Sequence, residues 1–285
     1  MQCDVNTENP EEEEECSPEV LLSVCGLAFG YSTIDTLKDV DIVTHGGEFI
    51  ALMGPNGSGK TTLMRCINKI LNIRGGSVMI DGNDIKKMTR GEISRLCTTV
   101  PADIPTDFSL TTKDFVMLGR SPYVTNWWWE TDEDTVIVEK AMWDFGISQY
   151  SERKIHELSS GERARALLAK GVVQKPKLMM VDEPSAHLDI KYKIQVMEML
   201  KGLSRSGLTV IMASHDLNLV TRYSDKVLLL SDGKIVSYGN PSDVITEETI
   251  KEVFNIDIKV IQDEGIPYII PKPPEADEKE FRIEI

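Results

Sequence analysis

Regular hydrophobic patterning begins near Leu21, after a polar opening that carries five consecutive glutamates, Glu11 to Glu15. VLLSVCGLAFGY and LKDVDIVTH read as strands, and HGG as the turn into a third strand, EFIALMG. That third strand is short, apolar and followed by glycine, as expected of a buried strand running into a loop. TTLMRCINKIL has helical spacing, and SVMIDGNDI reads as another strand and turn. From Thr112 to about Lys175 the apolar positions recur at helical intervals, in KDFVMLGR, DEDTVIVEKAMWDFGI and ERARALLAKGVVQ. Strand-like segments then return: LMMVDEP, the helix IKYKIQVMEMLKGLSRSG, TVIMASH, a further helix, and KVLLLSDGKIVSYG. Strand–helix–strand units around a helical insert predict an α/β fold, a parallel core sheet with a helical subdomain. The final IPYIIPKPPEADEKEFRIEI, with its prolines and acids, reads as a loose tail.

The expected organisation is a disordered acidic segment over 1–19, a folded domain over 20–271 and a tail over 272–285. The helical subdomain is expected at about 106–172. The leading carboxylates repel one another and have few apolar neighbours to offset ordering entropy. No internal repeat interrupts this plan.

The chain has 285 residues, 41% hydrophobic and 27% charged, an ordinary globular composition. A net charge of −15 argues against nucleic acid as a partner, since phosphate neutralisation needs clustered Lys and Arg. No apolar run reaches the roughly 18 to 20 residues of a membrane helix. LLSVCGLAFGY could suggest a signal or lipoprotein site at Cys25, but it follows PEEEEEC rather than a basic start. The five cysteines, Cys3, Cys16, Cys25, Cys66 and Cys97, are odd in number and lack CxxC spacing. Isolated reduced thiols of a cytosolic protein fit them better than a disulfide framework.

GPNGSGKTT runs Gly54, Pro55, Asn56, Gly57, Ser58, Gly59, Lys60, Thr61, Thr62 and satisfies GxxxxGK[ST] between a predicted strand and helix. The glycines let successive N–H groups turn inward around phosphates, and the helix N-terminus adds positive potential. Lys60 reaches the β- and γ-phosphates, and the Thr61 hydroxyl serves Mg²⁺. A chance glycine-rich turn is the bland alternative, and the flanking strand and helix weigh against it. In LMMVDEP, Asp182 and Glu183 emerge at the carboxyl end of a buried strand, where open α/β sheets bind ligands. Asp182 suits Mg²⁺ held through water and Glu183 suits polarising an attacking water; two solvated acids at a strand end are the alternative. His215 ends the strand TVIMAS and falls near the same crevice, although a lone histidine there is often structural.

Between these motifs lies LSSGERARALLAKGVVQKP, beginning at Leu158. With GPNGSGKTT, LMMVDEP, SAHLD and ASH in order, it resembles the ATP-binding cassette family over roughly Leu21 to Pro271. The resemblance implies a P-loop NTPase core with an antiparallel β region near the N-terminus and a helical signature subdomain. It implies an ATP hydrolase working with ATP and Mg²⁺ as a head-to-tail homodimer, with Lys60, Glu183 and His215 as its catalytic residues. Ser159, Ser160, Gly161 and Glu162 would meet the γ-phosphate across that dimer, as hydroxyls and a glycine at a helix start can. An ordinary serine helix cap is the alternative reading. The family's usual signature has glycine where Ser160 stands. Tyr31 in FGYS matches the aromatic residue that stacks on adenine, or is simply a core or surface aromatic. Asp189 in SAHLD matches the loop that couples the two sites, while His187 there fits packing or a turn contact.

MLGRSPY and the closing YGNPSDVITEETIKEVFNIDIKVI look like the importer group for iron–siderophores, haem and cobalamin. This implies integral-membrane permease subunits as partners, an external solute-binding protein met indirectly, and a peripheral place on the cytoplasmic face of the membrane. NWWWE, Asn126 to Glu130, reads either as an aromatic permease contact or as packing within the helical subdomain. A soluble cassette of cluster assembly, repair or translation would share every ATP motif, and a regulatory cassette would bind ATP with weak hydrolysis. Where the family normally carries glutamine, CTTVPADIP has Ala102, whose methyl cannot ligate or hydrogen-bond. Asp103 beside it is either a substitute near Mg²⁺ or a solvated loop acid. The cargo is not readable from a subunit that would touch ATP and permease only.

Overall fold

The computed structural model describes residues 19–102, 109–124, 131–184 and 188–272 of the chain. Strand β1 (Val20–Phe29) pairs antiparallel with β2 (Leu37–His45) on one side and β4 (Gly75–Ile80) on the other, and β5 (Asn83–Asp84) extends β4. This four-stranded antiparallel sheet is the β region expected near the N-terminus. A second sheet combines β3 (Phe49–Met53), β6 (Cys97–Val100), β7 (Leu178–Asp182), β8 (Thr209–Ala213), β9 (Lys226–Ser231) and β10 (Lys234–Gly239). Its order is β10-β9-β3-β8-β7-β6, parallel throughout except for the β9–β10 hairpin at one edge.

The central strands are apolar on both faces because both are covered. Phe49, Ala51 and Met53 of β3 enter one core cluster, and Ile50 and Leu52 enter the other. The strands β7, β8 and β9 divide in the same alternating way. On one side lie the antiparallel sheet and helix α1 (Lys60–Ile67), with α2 (Arg90–Leu96) leading into β6. On the other lie the helical segments α3 (Thr112–Met117), α4 (Asp132–Asp144) and α5 (Ser160–Val173), with α6 (Ile190–Arg205) and α7 (Leu217–Tyr223). A 3₁₀ turn over Leu118–Tyr123 continues α3 and contains Pro122, whose ring and missing N–H suit it to a short turn better than to a long helix. Capping boxes start α2 at Thr89, α4 at Thr131 and α5 at Ser159.

After β10 come α8 (Pro241–Val244), α9 (Glu247–Phe254) and a hairpin of β11 (Ile258–Asp263) with β12 (Ile266–Pro271). The sequence reading of IPYII as the start of a loose tail is corrected here. Ile269 is buried, and its backbone is held by both ends of the Asn218 amide, which donates to its carbonyl at 3.0 Å and accepts from its N–H at 2.7 Å. The expected features at Asp103, Trp127–Trp129 and His187 lie outside the described residues, as do residues 1–18 and 273–285. Among the described residues no helix is long and apolar enough to cross a membrane. Among the described residues Cys25, Cys66 and Cys97 form no disulfide.

Candidate nucleotide site

The parallel strands deliver their chemistry at one edge. β3 runs into the 54–59 loop and α1, β8 into Ser214–His215, β7 into Asp182–Glu183, and β6 into Pro101–Ala102. Because β3, β8, β7 and β6 are sequential neighbours in the sheet, these four strand ends form one row. A cavity of about 330 Å³ opens there, walled by Tyr31, Thr36, Asn56, Gly57, Gly59, Lys60, Thr61, Thr62 and Glu183.

The loop at its floor is built for an anion. Gly57 and Gly59 take positive φ, and Gly59 precedes α1 without giving it a side-chain cap. The first-turn N–H groups of α1 are therefore left for a ligand. Ser58 is 3% exposed, donates its backbone N–H to Pro55 O at 3.2 Å, and its Oγ has no partner among the described atoms. Lys60 is 7% exposed, and its Nζ donates to Gly54 O at 2.8 Å and Pro55 O at 3.0 Å. An ammonium has three donors, so one remains for the cavity. Burial pulls the Lys60 pKa down, partly offset by the negative potential of Glu183 and Asp182. A partly desolvated cation with a spare donor is completed by an anionic ligand. These features fit a nucleotide triphosphate.

Thr61 Oγ1 donates to Asp182 Oδ2 at 3.0 Å, so a hydroxyl and a carboxylate converge from α1 and the end of β7. Both are hard oxygen ligands of the kind Mg²⁺ takes, and the pair fits that ion. Glu183 follows in a left-handed conformation, φ 49°, with its N–H bonded to Ala213 O at 3.0 Å. Such a φ is uncommon for a non-glycine residue and is a form of strain that clusters at functional positions. It turns the carboxylate out of the strand toward the cavity, where Glu183 Oε1 lies 2.7 Å from His215 Nε2. Tyr31 stands on the rim, 61% exposed, its hydroxyl 3.3 Å from Thr62 Oγ1 and its ring edge-on to Phe29 at 5.0 Å.

The predicted residues thus divide into two groups. Tyr31, Asn56, Gly57, Gly59, Lys60, Thr61, Thr62 and Glu183 line one cavity, and Asp182 and His215 stand behind its wall in contact with Thr61 and Glu183. Ser159, Ser160, Gly161 and Glu162 do not line it. They begin α5, where Ser159 N donates to Glu162 Oε2 at 2.8 Å and Ser159 Oγ accepts from Glu162 N at 3.3 Å. Burial pushes the Glu162 carboxyl up, but hydrogen bonds from Tyr150 and Ser159 outweigh it and leave it below its usual range. Ser159 and Ser160 are exposed, as is Asp189, which caps α6 by accepting from Tyr192 N at 3.1 Å. Sequence reading missed Tyr192. Its ring lies so close to Gly161 that an added Cβ there would be 2.6 Å from Cδ1. Asp189 and Gly161 are consequently linked through one residue, by the backbone N–H of Tyr192 on one side and its ring on the other, a contact between α5 and α6 that no local pattern announces. Thr36, another wall residue, was also missed, because it carries no motif.

A second cavity, about 370 Å³, lies between the end of α1, α2, β6 and α5. Among the described residues its walls include Ile70, Ile93, Val100, Pro101 and Leu167 together with Lys69, Arg90 and Lys170, and no acid. Pro101 joins it to Ala102, which is exposed.

A loop of this kind at β3, a hydroxyl–carboxylate pair where α1 meets the end of β7, and a parallel sheet with a helical insert define a P-loop nucleotide hydrolase. The sequence profile of the ABC transporter family matches residues 37–186, more than half of the chain. An uncharacterised ABC transporter ATP-binding protein of Methanocaldococcus jannaschii is 36% identical over 88% of this chain and 98% of its own length. A cobalamin import ATP-binding protein of Halobacterium salinarum is 34% identical over 88% of this chain, which spans 64% of that longer relative. A solved inward-facing ABC transporter described as of the metal-chelate type has the same fold, with a TM-score of 0.78 at 23% identity over 89% of this chain and 98% of its own. The chain belongs to the ABC transporter family and is one of its ATPases.

Proposed function

We propose that this chain is the ATP-hydrolysing subunit of an importer for a metal chelate of the iron–siderophore, haem or cobalamin class. The single observation that carries the catalytic part is the 2.7 Å contact of Glu183 Oε1 with His215 Nε2, at the wall of a cavity also bounded by Lys60 and Thr61. Glu183 accepts the proton of the attacking water, and His215 orients the carboxylate that takes it. Lys60 carries its spare donor to the β- and γ-phosphates. Thr61 and Asp182 would hold Mg²⁺, which would supply charge neutralisation for the triphosphate.

The start of α5 in the same chain is not part of the cavity wall. Ser159 and Ser160, exposed at the helix start, with Gly161 buried behind them, supply further anion contacts from a second copy of the chain. Tyr31 stacks on the base. Asp189, through Tyr192 and Gly161, relates one site to the other.

The cavity that adjoins Ala102 receives a cytoplasmic segment of the permease. Its three cations stand out in a chain of net charge −15 and favour an acidic partner segment. This gives a peripheral position on the cytoplasmic face of the membrane, with the solute-binding protein reached only through the permease. The cobalamin relative and the MLGRSPY region support the import of a metal chelate.

Steady-state phosphate release with Mg·ATP tests the catalytic reading. Glu183→Gln is expected to lower kcat by about 10²–10⁴-fold, the usual scale of a positioned base, while ATP binding is retained and dimers accumulate. Normal turnover in that variant would sink the assignment. Co-purification of a polytopic membrane protein tests the importer reading, and a chain that never leaves the soluble fraction overturns it.

A further inference from the structure

Tyr31 sits on a loop between β1 and β2 that has little hydrophobic anchorage. Tyr31 and Ile34 are 61% and 75% exposed, and the loop is closed at its base by Thr36 N donating to Phe29 O at 2.7 Å. Yet the loop is drawn in tightly. A Cβ added at Gly30 would come within 2.4 Å of Ile34 O and 3.1 Å of Arg74 Nη1. The guanidinium of Arg74 lies inside the curve of the loop. Its Nη2 donates to the Ser32 carbonyl oxygen, and its Nη1 donates to Asp35 Oδ1 at 3.3 Å.

Arg74 is itself fixed from the other side. Its backbone N–H bonds Ala28 O at 2.8 Å, and the next residue, Gly75, pairs with Ala28 in the antiparallel sheet. The side chain therefore spans from a sheet strand to both limbs of the loop.

We infer that Arg74 is a positioning residue for the nucleotide base: it braces the Gly30–Asp35 loop so that Tyr31 is held ready to stack. The inference rests on the reading that Tyr31 meets the base. An exposed ion pair alone contributes little. Arginine's fork, however, engages a carbonyl and a carboxylate at once, which a point charge cannot do in the same geometry. Its effect is on the free protein: a loop already ordered does not have to be ordered by the ligand. The phosphate end of the site, held by α1 and β7, has no contact with Arg74 among the described residues.

The test compares equilibrium binding of Mg·ATP and of inorganic tripolyphosphate to the full chain, with steady-state kinetics beside it. Arg74→Ala is expected to weaken ATP binding about three- to tenfold, the loss of one or two ordered side chains, and to raise KM with kcat unchanged. Tripolyphosphate, which lacks a base, should bind as it does to the unaltered protein. Arg74→Lys should fall between the two for ATP, and Arg74→Ala added to Tyr31→Ala should cost nothing more. Equal weakening of both ligands, or a fall in kcat, would mean a general structural role and overturn the inference. Unchanged ATP binding in Arg74→Ala beside a clear loss in Tyr31→Ala would overturn the brace alone. No loss in Tyr31→Ala would overturn the stacking reading beneath it.

Discussion

Arg120 and Asp134 form the ion pair on which the helical region turns. Their side chains are 7% and 11% exposed, with Arg120 Nε 2.7 Å from Asp134 Oδ1. Arg120 Nη1 also donates to Val173 O at 2.8 Å at the end of α5, and the guanidinium lies 4.0 Å from the Tyr123 ring centroid. Asp134 in turn accepts from Thr131 Oγ1 at 2.8 Å and Thr131 N at 3.3 Å, closing the capping box of α4. One side chain thus joins the 3₁₀ turn, α4 and α5, the helix that begins with Ser159. Asp134→Asn leaves a desolvated guanidinium without its counter-charge and is expected to cost about 3 kcal/mol, the low end for breaking a buried pair. Arg120→Met should cost less, about 1–2 kcal/mol, because Asp134 keeps its Thr131 bonds and its favourable place at a helix N-terminus, leaving chiefly one carbonyl unpaired. Urea unfolding at neutral pH, followed by circular dichroism, measures both, and the double variant gives the coupling.

The same pair sets a pH dependence. Burial pushes the Asp134 carboxyl up, but the hydrogen bonds from Arg120 and Thr131 outweigh it and hold it below the usual carboxylate range. A depressed folded-state value means that the stabilisation is complete above the unfolded value, roughly pH 4, and is lost as pH falls through the folded one. Stability of the unaltered protein should drop below about pH 4 more steeply than that of Asp134→Asn. A cost below about 1 kcal/mol for Asp134→Asn would refute the reasoning, since it is the size of an exposed pair. So would an acid limb identical in the two proteins.

Gly161→Ala should push the start of α5 away from Tyr192, whose ring carbons would lie 2.6–3.0 Å from the new methyl. Overpacking of this kind costs about 1–3 kcal/mol, so a lower urea midpoint is expected together with reduced ATPase and intact ATP binding to the monomer. Tyr192→Ala in the same chain should restore the midpoint, and a single variant with wild-type midpoint and turnover would disprove the contact's importance. Ala102→Gln returns an amide able to ligate or hydrogen-bond at the end of β6. With permease present it should raise coupled ATPase; an unchanged rate would show that coupling proceeds without that group.

The residues proposed to bear the chemistry were legible as candidates because each sits where a local pattern ends. GPNGSGKTT declares a strand-to-helix turn within nine residues of sequence. LMMVDEP and TVIMASH each declare an apolar strand with polar groups at its carboxyl end, and a parallel sheet then has little choice but to bring those ends into one row. The last hairpin was not legible, and the reason is specific. Pro267 and Pro271 argue against a central strand, but among the described residues β12 pairs only with β11, so a missing N–H on its open side leaves no ladder bond broken. What anchors it, the Asn218 amide, lies 51 residues away in the chain. Arg74 on the Ser32 carbonyl, Arg120 on the Val173 carbonyl and Tyr192 against Gly161 have the same character. Each is a long side chain whose target is backbone or a glycine, and a backbone atom leaves no mark in the sequence. The groups that would react with ATP were therefore readable one motif at a time. The side chains that hold those groups at working distances became visible only when the elements were packed.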